Sequence, residues 1–233
     1  MHKHTLPDLL TQLYQLLYQR YGPQHWWPSS SRFETVVGAI LTQNTAWRNV
    51  ERALANLKAA GALSPARIRE LAQDDLAALI RSSGYFNTKA RKLKAFADVL
   101  GRHHDDDLDH LFDQEPKALR RELLSIYGIG EETADDIMVY AAYLPSFVVD
   151  SYTVRILARL GVTSGKQCYH AVQALFHDNL PLDAGLFNEY HALLDRHAKE
   201  TCRKVPLCRD CCLLSLCPTG AATVGLSSGD LTE

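Results

Sequence analysis

The chain has 233 residues, room for one or two domains with real cores, and its 46% hydrophobic and 22% charged content is that of a globular protein. A formal net charge of −2 excludes indiscriminate electrostatic binding to nucleic acid while leaving room for a local basic face. Met1-His2-Lys3-His4-Thr5 lacks the apolar core of a signal peptide and no run reaches membrane-helix length, so the expectation is a cytoplasmic protein with no membrane partner.

Hydrophobic period predicts helices almost everywhere. Leu6, Leu9, Leu10, Leu13, Leu16 and Leu17 form one stripe, Phe33, Val36, Val37, Ile40 and Leu41 a second, and Trp47, Val50, Leu54 and Leu57 a third. Between the first two stripes, Trp26-Trp27-Pro28 reads as a loop. Ser64-Pro65 is a cap and first-turn pair opening a short helix. Further helices are predicted over residues 75–81, 88–101, 116–126, 131–143, 151–160, 166–177 and 183–199. Only Phe147-Val148-Val149 resembles a strand, and it is too short and isolated to build a sheet, so the fold class is all-α. The breaks are short, and the small polar residues after Pro218 predict a disordered tail over 218–233.

Charge is segregated. Arg81, Lys89, Arg91, Lys92, Lys94 and Arg102 face the single acid Asp98, and the acids Asp105, Asp106, Asp107, Asp109, Asp113 and Glu115 follow; two solvated helix faces of opposite sign explain this without any ligand. Cysteine use is more specific. Cys202, Cys208, Cys211, Cys212 and Cys217 crowd together while Cys168 stands alone, which reads as metal ligation, with a Cys₄ zinc site and an iron–sulfur cluster both open.

Two features carry candidate chemistry. At Gly128-Ile129-Gly130 one predicted helix ends and the next begins, so backbone N–H groups at the second helix start could meet a phosphate oxygen; a plain helix–helix turn is the bland reading. Asp150 follows the apolar triplet at a predicted helix start, where it is either an N-cap or a carboxylate that stabilises charge developing on a sugar and activates a water. Trp26, Trp27 and Trp47 could wall a flat aromatic pocket, or fill a core.

Gly128-Ile129-Gly130 with Val149-Asp150 resembles the helix–hairpin–helix and Gly-Pro-Asp signature of the endonuclease III superfamily of DNA glycosylases. Leu41-Thr42-Gln43-Asn44-Thr45, Gly84-Tyr85-Phe86-Asn87-Thr88-Lys89-Ala90 and the Cys202 to Cys217 loop resemble three more of its motifs, in order, over roughly residues 30 to 217. The resemblance implies a two-lobed fold, with residues 30–138 as a helical barrel ending in the hairpin and residues 1–29 with 139–217 as a second lobe carrying the cysteine loop. It implies a monomer acting on double-stranded DNA that contains a damaged base, contacted through Gln43, Lys89, Gly128, Gly130 and Thr133. Asp150 would be catalytic, and Gln43 a candidate to fill the gap left by the flipped base. Cys202, Cys208, Cys211 and Cys217 would hold a [4Fe–4S] cluster, zinc being the alternative.

The chain departs from that pattern twice. Bifunctional members carry a lysine where this chain has Glu132, and a carboxylate cannot form the imine needed for strand cleavage, so hydrolysis with water as nucleophile is expected; Glu132 is a second candidate catalytic residue or an exposed first-turn acid. The family's first two cluster cysteines are usually separated by six residues, and here by five, Arg203 to Leu207. Trp26-Trp27-Pro28 and Gln43-Asn44-Thr45 are also similar to segments of bacterial 3-methyladenine glycosylases, which points to an alkylated purine, a base whose positive charge makes it a good leaving group. The remaining expectations are a glycosylase/lyase for oxidised pyrimidines and a non-catalytic DNA-binding module.

Overall fold

Apolar period and well-placed caps produce a chain of helices in the computed structural model, which describes residues 5–226 and has no strand among them. In order these are α1 (Leu6–Tyr21), α2 (Arg32–Thr42), α3 (Trp47–Ala59), α4 (Pro65–Glu70), α5 (Gln73–Leu79), α6 (Phe86–His104), α7 (Leu108–Phe112), α8 (Pro116–Ser125), α9 (Glu131–Asp136), α10 (Ser151–Arg159), α11 (Tyr169–His177), α12 (Ala184–Glu200) and α13 (Pro218–Val224). No helix among the described residues is long and apolar enough to cross a membrane. The chain forms two compact units, one spanning Trp27–Leu144 and the other built from residues up to Trp26 and from Pro145 onward.

The Trp27–Leu144 unit is organised around α2, in which every residue from Phe33 to Leu41 is buried. A helix buried on all faces must sit at a centre, and Val36, Val37, Ile40 and Leu41 there join Val50, Leu57, Leu93, Phe96 and Leu123 from the surrounding helices in one apolar core. Glu34 is buried within this helix, satisfied by the Ser30 N–H at 2.8 Å and by Lys58 Nζ at 2.6 Å. The acidic stretch is a turn, the short α7 and another turn. Asp107 caps α7 by accepting from Asp109 N at 2.7 Å, Asp106 pairs with Arg69, and Leu111 and Phe112 point into the core. The helix predicted over 131–143 is α9 followed by one wider π turn, Ile137–Ala141, whose Ile137, Met138 and Ala141 join the core; this carries the unit past the expected 138 to Leu144.

In the other unit, Thr5 and Asp8 close a capping box on α1, whose buried Leu10, Leu13 and Leu17 form the inner part of the predicted stripe. Tyr190 of α12 donates to Leu10 O at 2.9 Å and pins the two helices together. Phe147 lies flat on Phe176, with ring centroids 3.5 Å apart, and meets Phe187 and Tyr190 edge-on. Residues 218–224 correct the expected disordered tail: Pro218 starts α13, the Cys217 thiol accepts from Gly220 N, and Ala221 is buried. A proline at the first helical position and an inward alanine outweigh a small, polar composition. The remainder of that expectation, residues 227–233, lies outside the described residues.

Candidate active site and cysteine cavity

The hairpin in the Trp27–Leu144 unit is α8, the turn Ile126–Gly130, and α9. Ile126 and Ile129 anchor the turn in the core, and Arg120 on α8 grips the fully buried Asp135 on α9 through two bonds of 2.8 and 2.9 Å. The two glycines have different reasons to be glycine. Gly128 has φ +84° and lies against the Lys92 side chain, whereas Gly130 is extended at φ −96° and a Cβ there would meet open space. Gly128 therefore answers to the chain's own packing, while exposed Gly130 leaves the mouth of α9 uncovered.

Gln43, which terminates α2, reaches this hairpin. Its Nε2 donates to Gly128 O at 3.1 Å and to Thr133 Oγ1 at 2.8 Å, while its Oε1 accepts from Lys92 Nζ. Thr133 is buried, so its hydroxyl serves this internal network. Lys89 is a correction to the expected DNA contact. It is 2% exposed, its Nζ donates to Leu41 O at 2.8 Å and Ser83 O at 2.6 Å, and burial, with Lys92 nearby, lowers its pKa to about 8. It ties the end of α2 to the turn before α6, because those carbonyls have no helical partner. Glu132 is exposed in the first turn of α9.

Trp27 and Trp47 meet edge-to-face at 5.2 Å, and Tyr140 from the π turn packs on Trp27 at 5.2 Å. Gly38 on α2 makes this possible, since a Cβ there would lie 3.0 Å from the Trp27 ring. The sequence reading missed Tyr140, whose position resembles any other core residue of a helix; the wider turn that brings it to Trp27 is seen only in the fold. Trp26 belongs to the other unit. Tyr85 was also passed over: it is 73% exposed with φ +46°, at the N-cap of α6. A large exposed aromatic on a left-handed backbone is costly for the chain by itself.

Asp150 is held from both sides within its own unit. On the downstream side it is the N-cap of α10, Oδ1 accepting from Thr153 N at 2.7 Å. Upstream, the apolar triplet forms no strand because α11 side chains take its backbone groups: Phe147 N donates to His177 Nε2 at 2.9 Å, Val149 N to Tyr169 OH at 3.2 Å, and Gln173 Nε2 donates to Phe147 O at 2.8 Å. The cap bond uses Oδ1 and leaves Oδ2 without a hydrogen bond among the described residues, so one carboxylate oxygen is available to a water.

Cys202, Cys208, Cys211 and Cys217 line a cavity of about 310 Å³, its mouth included, together with Arg159, Leu214 and Gly220; Cys212 does not line it. Arg159 braces the loop by donating to Arg203 O at 2.7 Å and Lys204 O at 3.0 Å, and it also approaches Cys202 Sγ at 3.2 Å. His197 Nε2 lies 3.7 Å from Cys211 Sγ. Burial pushes the Cys211 thiol up to about 12 and raises Cys217, so thiolates here need added positive charge. Yet among the described residues no three His, Cys, Asp or Glu side chains converge closely enough to hold one metal ion.

Residues 37–182 match the family model of the HhH-GPD superfamily base excision DNA repair proteins. The chain belongs to this superfamily. It is 44% identical over 211 residues to Methanocaldococcus jannaschii MJ1434, provisionally named a DNA repair glycosylase, covering 90% of this chain and 96% of that one. It is 29% identical to the endonuclease III of Sulfolobus acidocaldarius, over 90% of this chain and 96% of that one. Among solved structures it is similar to the H. pylori 3-methyladenine DNA glycosylase MagIII bound to 1,N6-ethenoadenine, with a TM-score of 0.71, 27% identity, and coverage of 84% of this chain and 98% of that one. A non-covalent endonuclease III–DNA complex shares the fold at a TM-score of 0.81 and 20% identity, over 95% and 99% of the two chains. This HhH-GPD protein is a DNA N-glycosylase of base excision repair and binds DNA.

Proposed function

We propose that the chain is a monofunctional glycosylase that hydrolyses the N-glycosidic bond of an alkylated purine in double-stranded DNA, acting as a monomer in the cytoplasm. The observation that carries the monofunctional part is chemical. The hairpin position of the bifunctional lysine is the carboxylate Glu132, and the Lys89 and Lys92 ammonium groups of α6 are bound to protein oxygens. Asp150 then serves as the catalytic carboxylate, its Oδ1 fixed by the helix cap and Oδ2 left to orient and deprotonate a water as positive charge builds on the sugar. Glu132 has a secondary electrostatic role in this reading.

Trp27, Trp47 and Tyr140 supply aromatic faces for a flipped base, and such faces favour a cationic N-alkylated purine through cation–π attraction. The likeness to a 3-methyladenine glycosylase supports the same substrate class. Gly128 and Gly130 present the turn to the DNA backbone, while Gln43 and Thr133 contribute through the turn they brace.

Cys202, Cys208, Cys211 and Cys217 are the proposed ligands of a [4Fe–4S] cluster. Their four side chains line one cavity, and the place of this cysteine loop after an endonuclease III-like body supports a four-iron cluster over a single zinc. When bound, the cluster supplies positive charge and a cross-link to the loop, and base release does not pass through it.

The test is a panel of lesion-bearing duplexes scored separately for released base and strand nicking. Release of alkylated purines without nicking is expected, with Asp150→Asn losing roughly 10²-fold or more in rate while retaining DNA affinity. Borohydride trapping of a covalent protein–DNA adduct would overturn the monofunctional reading in favour of an endonuclease III-type lyase. Absence of release from any lesion by the wild type would leave a DNA-binding module.

A further inference from the structure

Lys92 and Arg91 are neighbours in the same basic run of α6, yet their surroundings differ. Arg91 is exposed, its guanidinium 4.8 Å from the centre of the exposed Tyr127 ring. Lys92 is half-buried and bonded to Gln43. We infer that Lys92 is a positioning residue of the hairpin: it fixes the direction of the Gln43 amide, which in turn holds the turn from Gly128 to Thr133. This rests on the reading of the hairpin as a DNA grip and adds to it a residue that works without touching DNA.

The argument starts from donors and acceptors. A backbone carbonyl only accepts and an ammonium only donates, so the Gly128 carbonyl requires the amide nitrogen and Lys92 requires the amide oxygen. The Gln43 side chain therefore has one workable orientation; reversing it would set oxygen against oxygen and N–H against N–H. With the oxygen held by Lys92, both amide hydrogens are directed across the hairpin, one to Gly128 O at 3.1 Å and one to Thr133 Oγ1 at 2.8 Å. A single amide thus ties the middle of the turn to the first turn of the helix that follows.

The lysine stem supports the same turn by packing. A Cβ placed on Gly128 would fall 2.3 Å from Lys92 Cγ and 2.6 Å from its Cδ, so the methylenes run directly against the glycine backbone at φ +84°. The stem supports the turn from one side while the ammonium sets the strut from another. A residue so engaged adds to affinity through hairpin geometry, whereas exposed Arg91 is placed to neutralise a phosphate.

The test combines backbone amide exchange across residues 128–133 in the free protein with binding of an undamaged, fluorescently labelled duplex over a salt series. Lys92→Met keeps the stem and removes the charge. It is expected to speed exchange across the turn and weaken binding roughly fivefold, with the slope of log affinity against log salt unchanged. Gln43→Met should do the same, the double variant should be no worse than either single one, and Lys92→Arg should recover most of the loss. Arg91→Met should leave exchange alone and make the salt slope shallower by about one phosphate. A shallower slope with unchanged exchange in Lys92→Met would make Lys92 a direct phosphate contact and overturn the inference, as would fully additive losses in the double variant. Faster exchange with unaltered DNA affinity would support Lys92 as the turn's positioning residue and sink the DNA-grip reading instead.

Discussion

The two units reach their folded states by different means. The Trp27–Leu144 unit is built on continuous, mainly aliphatic burial around a helix with no exposed face from Phe33 to Leu41, and its polar hairpin network is laid over that core. The other unit centres on a stack of Phe147, Phe176, Phe187 and Tyr190, hangs the Asp150 segment from side chains of α11, and ends in a loop whose cysteines surround a cavity. Hydrophobic burial is indifferent to redox state and metal supply; a cysteine cavity is not. The unit that carries the aspartate is thus the one whose order would depend on the proposed cluster.

The largest test of this contrast is removal of that group. Stripping metal from the purified protein, or making Cys208→Ala, should abolish any visible absorption band and open amide exchange in residues 201–224, while exchange within α2 and α6 stays slow. Equal loss of protection in both units would erase the contrast. Phe147→Ala comes next: the fully buried ring should cost about 3–5 kcal/mol in denaturant unfolding and disturb Asp150 through its backbone, lowering base release beyond the stability loss.

A smaller effect is expected at Gly128→Ala, where positive φ and the Lys92 stem act together, at about 1–3 kcal/mol. Gly130→Ala, with an allowed φ and open space, should leave stability nearly unchanged and affect only DNA binding, so equal stability losses at the two glycines would refute their separate roles. The smallest is a pH effect. Lys89 falls from 10.5 to about 8 on folding, mainly by desolvation, so between those values the unfolded chain binds more protons and stability rises with pH. Below about pH 8 the ammonium is charged in both states and the slope vanishes. Unfolding of wild type against Lys89→Met across pH 7.5–10.5 should show that rise in the wild type alone.

Much of the helix order was readable from periodicity, because alternation along one chain segment reports which face meets a core. Ser64-Pro65, Asp150 before α10 and the spacing of the cysteines were likewise local signals with local physical causes. The sequence erred or stayed silent where the deciding partner is distant in the chain. Lys89 looked like one more cation of a basic run until Leu41 O and Ser83 O claimed it, and Gln43 looked like a probe for DNA until Lys92, Gly128 and Thr133 filled its hydrogen bonds. Tyr140 joins the tryptophans only through a π turn. Sequence determines where helices begin, which faces are apolar and which chemical groups are on hand. Tertiary structure decides which of those groups are consumed internally, because a hydrogen bond or a buried charge is satisfied by whatever the fold brings within 3 Å, however many residues away that partner lies along the chain.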